Sequence, residues 1–94
     1  MSDSSIKIDY TVHVWKEDQQ FLAHAMPLDV MSAGATAEMA RQALEEAVGL
    51  FLKVAADMGT LEDVLEESGY QVDEGRWTSP PWVSIERHVL SVSK

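Results

Sequence analysis

The chain has 94 residues, 46% of them hydrophobic, with sixteen acidic residues against seven basic ones, no cysteine and a formal charge of −9. This length supports one domain around one core, and the apolar fraction excludes disorder as the overall state. The absence of thiols excludes a disulfide scaffold, a thiolate metal site and a cysteine nucleophile, while the negative field repels phosphate backbones and attracts basic surfaces.

Residues 1–5 carry neither a basic cluster nor an apolar run, so they are expected to be disordered and not a secretory signal. No stretch approaches the ~20 apolar residues of a membrane span, and a cytoplasmic protein without membrane contact is expected. In residues 6–14 the apolar side chains Ile6, Ile8, Tyr10, Val12 and Val14 occupy every second position, which predicts a strand with one buried face. The polar residues 16–20 interrupt it, and residues 21–26 read as a second strand, paired with the first as an antiparallel hairpin. If Lys16 opposes Phe21 across a four-residue loop, then His13 opposes His24 and Trp15 opposes Leu22, with Met26 further along that second face. Pro27 lacks a ladder donor and closes the strand, and residues 28–33 are expected to form a third.

Thr36 is suited to cap a helix over residues 37–58, with Ala40, Ala43, Leu44, Ala47, Phe51, Ala55 and Met58 as its apolar stripe. At 1.5 Å per residue it spans about 33 Å and covers one face of a small sheet. Gly49 inside it suggests close packing against a neighbour, and Gly59 suggests a left-handed cap. Residues 60–94 then read as a short acidic helix, a loop at residues 73–75 and 80–81, and a final strand over 82–91. The expected architecture is α+β, in the order β-β-β-α-(short α)-β: a small, mostly antiparallel sheet with one long helix on one face, the whole of residues 1–94 forming one domain.

The pattern Tyr10-x-Val12, Trp15 with Glu17-Asp18, Phe21-x-Ala23-x-x-x-Pro27, Ser32-x-Gly34-x-Thr36 and Ala40-x-x-x-Leu44-Glu45-Glu46-Ala47 resembles the HicB-like antitoxin family over residues 10–52. That resemblance implies a partial ribonuclease-H-like fold without nuclease activity, which neutralises a small basic RNA-cleaving toxin by covering it. The chain departs from the family at Gln19-Gln20, where a glycine pair is common, at Ala35, where aspartate is common, and at Met39, where an acidic residue is usual. Many members append a DNA-binding segment; the short helix, loop and strand expected after Met58 do not resemble one, which puts autorepression by direct DNA contact in doubt.

Catalysis is not expected. Two-metal phosphodiester cleavage needs several converging carboxylates, and the predicted strands offer Asp9 and Glu86 alone. His13 and His24 lack an evident third ligand for zinc, and no phosphate loop, nucleophile motif or cofactor site is present in the sequence. The candidates for partner binding are of three kinds: Trp15, Leu22 and Met26 as an apolar patch on the sheet face away from the helix; Glu62, Asp63, Glu66 and Glu67 as an acidic surface; and Trp77 and Trp82 flanking Pro80-Pro81. Each has a plainer structural account: a covered hairpin end, a solvated charge run, a packed loop. The expected partners are a small basic toxin and a further copy of the chain, joined through the sheet face or edge. A structural or regulatory homo-oligomer without a toxin and an RNA-binding module are the alternatives, the latter opposed by the charge of −9.

Overall fold

The computed structural model describes residues 6–94, so the expected disorder of residues 1–5 lies outside the described residues. The alternating run at the start does not form one strand. It divides into β1 (Lys7–Ile8) and β2 (Thr11–Glu17), which belong to different sheets. Asp9 makes the joint. Its N–H donates to the Trp77 carbonyl at 3.3 Å, its carbonyl accepts from the Tyr70 hydroxyl at 2.6 Å, and its Oδ1 accepts from the Ser79 N–H at 2.7 Å. Alternation alone does not register this break, because Ile8 on one side and Tyr10 and Val14 on the other all pack against the same core.

β2 pairs antiparallel with β3 (Gln20–Met26) across a turn of Asp18 and Gln19, in the expected register of Lys16 opposite Phe21, Trp15 opposite Leu22 and His13 opposite His24. β3 stops at the Met26-Pro27 bond, which is cis, and its other edge pairs with β4 (Val30–Gly34). The third strand begins later than expected because Leu28 turns into the core and Asp29 takes a left-handed φ of 62°.

Helix α1 (Ala37–Asp57) starts where the sequence places it: the Thr36 hydroxyl accepts from the Met39 N–H at 3.1 Å. The small residues let strand and helix meet. A Cβ built on Gly34 would lie 2.6 Å from the Ala40 backbone nitrogen, closer than real side chains come. Ala40, Leu44 and Val48, spaced by four, are buried against Ala23 and Ala25 of the sheet. The stripe expected further along is corrected. Phe51 and Met58 are exposed, Met58 by 71%, and the buried residues in that half of the helix are Ala55, as expected, and Val48. The cause is length. The 21 residues of α1 span about 32 Å, whereas the seven residues of β2 or β3 span about 23 Å, so the helix runs past the end of its sheet. The packing role expected for Gly49 is also overturned: it is exposed, and a Cβ there would have nothing within 4 Å.

Gly59, at φ 76°, ends the helix as a left-handed cap. α2 (Leu61–Glu67) buries Leu65, and Tyr70 follows into the core. Part of the expected loop is a hairpin, in which β5 (Gln71–Asp73) and β6 (Arg76–Thr78) flank Glu74 and Gly75, both with positive φ. That pair of left-handed residues is the turn geometry which matches strand twist. β6 then pairs parallel with β1, Ile8 opposite Trp77, closing the second three-stranded sheet in the order β1-β6-β5. The chain is thus α+β, but its last strand is β6. The strand expected over residues 82–91 is absent: residues 79–94 have no regular secondary structure and pair with neither sheet. Pro80 and Pro81 lack the N–H groups needed to continue the ladder.

Two glycines allow a direct test by urea unfolding. Gly34→Ala should cost about 1–3 kcal/mol through its collision with the helix backbone, while Gly49→Ala should add roughly 0.5–1 kcal/mol. Burial, with Asp9 and Tyr10 nearby, pushes the Tyr70 hydroxyl from 10.0 up to about 12. A raised pKa means that folding favours the protonated phenol, so this stabilisation is complete below pH 10 and fades as pH rises towards 12. The unfolding free energy should fall across that window, and Tyr70→Phe should flatten the loss.

Candidate protein-binding site

Strand pairing sorts the sheet residues into two faces. Val14-Ala23-Ser32 and Val12-Ala25-Val30 form rows beneath α1, since Ala23 and Ala25 are completely buried with Ala40 and Leu44. The alternate rows face away from the helix: Thr11-Met26, His13-His24-Met31 and Trp15-Leu22-Ala33. Trp15, Leu22 and Met26 therefore share one face. Trp82 joins them there. Its indole N–H donates to Thr11 Oγ1 at 2.6 Å, and its ring meets the His13 ring edge-on with centroids 5.4 Å apart. Met26 and Trp82 line one hollow of about 260 Å³ with Pro27, Pro80 and Pro81.

The two histidines of this face have separate environments. His24 Nε2 lies 2.6 Å from Asp29 Oδ1, whereas His13 Nε2 is buried without a hydrogen-bond partner. Among the described residues no group of three or more histidines and carboxylates is placed to hold a metal ion. The two strand-region carboxylates are engaged elsewhere. Asp9 holds Ser79 at the joint, and Glu86 accepts from Ser84 and pairs with His88, hydrogen bonds that hold its carboxyl below the usual range.

Glu62, Asp63, Glu66 and Glu67 project from α2 into solvent, and none of them takes part in a salt bridge among the described residues. Glu62 and Asp63 line a hollow of about 330 Å³ together with Ile6, Ala56, Leu61 and Trp77. Trp77 is only 5% exposed and belongs to the core, so it lies deep in this hollow and does not project as a free aromatic anchor. The sequence candidates thus fall on two surfaces, an aromatic sheet face with Trp15, Leu22, Met26 and Trp82 and an acidic hollow with Glu62, Asp63 and Trp77; Glu66 and Glu67 extend the acidic surface along α2.

A third surface was not anticipated from sequence. Where α1 overruns its sheet, Leu50, Phe51, Val54 and Met58 are exposed and form, with Ala47 and Val64, a groove of about 430 Å³ lined almost wholly by carbon. The signal was the spacing of Leu50, Val54 and Met58 along a line distinct from Ala40-Leu44-Val48, hidden because Phe51 and Met58 also fit a single stripe. Compared with protein-family models, curated proteins and solved structures, the chain has no significant match.

Proposed function

We propose that this chain is a HicB-like antitoxin module that binds a small basic RNA-cleaving toxin stoichiometrically and blocks it sterically. The acidic hollow carries the reading. Four carboxylates of α2 stand exposed without a salt-bridge partner among the described residues, and two of them border apolar surface that includes Ile6 and Leu61. Unneutralised charge at a rim accelerates encounter with a basic surface, and adjoining apolar area holds the complex once formed. The net charge of −9 acts in the same direction, and the sequence resemblance over residues 10–52 supplies the class of partner. A second reading, a structural or regulatory homo-oligomer without a toxin, is favoured by the bare groove on α1.

The test uses the product of any adjacent gene for a small basic protein. The two proteins should co-purify as a stoichiometric complex, and the purified complex should lack RNA cleavage. Replacing Glu62, Asp63, Glu66 and Glu67 together by lysine should slow association by about 10–100-fold at low salt, with the difference shrinking as salt is added. Undiminished RNA cleavage in the presence of excess chain rejects the proposal.

A further inference from the structure

Residues 82–92 form an arm that the fold leaves largely bare. Val83, Ile85, Val89, Leu90 and Val92 are all exposed, Val83 by 96% and Val89 by 93%. The arm is nevertheless patterned as a strand. Ser84, Glu86 and His88, each two residues from the next, are joined by hydrogen bonds of 2.6 and 2.9 Å, which sets their side chains on one side. Alternation then puts Val83, Ile85, Arg87 and Val89 on the other side. The first side satisfies the polar groups of residues 84–88; on the other, Val83, Ile85 and Val89 are exposed with Arg87 between the last two, and Val83 borders the hollow of Met26 and Pro27.

The complement of that stripe is on the same chain. The groove of Leu50, Phe51, Val54 and Met58 on α1 is apolar and also exposed. It is not placed for the arm of its own chain. Trp82 anchors the arm's root to Thr11 and His13 on the sheet face turned away from α1, and the groove lies on the exposed surface of α1. The molecule is long for its size, 59 × 29 × 22 Å, and its radius of gyration of 16.2 Å exceeds the ~12 Å of a compact chain of this length. Charge points the same way. Residues 79–94 carry Arg87 and Lys94 against Glu86, a formal +1, while the remaining residues carry −10, together the −9 of the chain. The arm therefore approaches the acidic body of another copy without the repulsion that two bodies exert on each other; within residues 83–89 Arg87 balances Glu86.

We infer that two copies of this chain exchange arms, the apolar stripe of residues 83–89 from each lying in the α1 groove of the other. Each contact occurs twice about a two-fold axis, so the exchange closes at a dimer and removes both bare surfaces at once. Dimerisation does not depend on the toxin reading: arm exchange needs only this chain, and it leaves the α2 carboxylates free.

The absence of native cysteine makes the test clean. Sedimentation of the full chain should give a dimer at micromolar concentration, and Val89→Glu should weaken it by about tenfold or more. Position 89 is exposed in the single protomer, so the variant's circular dichroism should stay unchanged, while its thermal midpoint should lose its dependence on concentration. For geometry, full-length chains carrying Ile85→Cys or Val89→Cys are each mixed with chains carrying Leu50→Cys or Val54→Cys and oxidised gently. Disulfide-linked heterodimers should exceed those formed by any variant alone by about tenfold. A monomer at every concentration overturns the inference. So does cross-linking of Val89→Cys chains chiefly to each other, which would mean that arms pair with arms. A disulfide within one chain of the Val54→Cys, Val89→Cys double variant overturns it as well, by showing the arm folded back on its own groove.

Discussion

Everything beyond the first sheet depends on the hydrogen bonds gathered at Asp9. The residue ends the pairing of β1, begins the run into β2, and uses its N–H, carbonyl and carboxylate on Trp77, Tyr70 and Ser79 respectively. The first two bonds fix β6 and the segment after α2 against the core, so that Trp77 and Tyr70 can be buried there. The third directs the chain leaving β6 across to the outer face of the larger sheet, where Trp82 meets Thr11 and His13. A side chain that a search for catalytic carboxylates would single out is instead a link between two sheets that share no strand among the described residues.

The second constraint is the mismatch between helix and sheet. The part of α1 over the strands is served by small residues, with Gly34 and Ala40 permitting close approach; the part beyond them has no strand to cover it. A chain of this size buries only about two-thirds of its unfolded surface in any case. Here much of the exposed apolar surface falls in one groove and one arm, with Trp15 and Met31 adding to the outer sheet face, and clustering of that kind distinguishes an interface from ordinary surface.

What could be read from the sequence followed from local physics. The register of the first hairpin came from the alternation of its two strands, and the start of α1 from the Thr36 cap; both are short-range effects. The hairpin of β5 and β6 was missed because its turn is Glu74-Gly75, and glutamate is an unusual residue for a left-handed position. The split at Asp9 and the missing last strand were illegible for a different reason. A strand needs a partner as well as a pattern, and residues 82–91 have the pattern of a strand, with no partner among the described residues. The acidic residues of α2 were identifiable as a surface, but their association with Ile6 and Trp77 in one hollow joins segments over fifty residues apart, which periodicity does not reach.

Arg87 gives the arm a further property. It interrupts the apolar stripe between Ile85 and Val89, and in isolation it looks like a flaw in an otherwise continuous binding edge. A long, uncharged, unpaired strand is a template on which like strands can stack without limit, and a central charge makes such stacking unfavourable because every added copy brings another guanidinium into register. A closed exchange brings together two guanidinium groups and two acidic bodies and then stops, whereas stacking adds a guanidinium with every copy. Arg87 thereby separates the finite assembly from the fibrous one, tolerating the first and penalising the second.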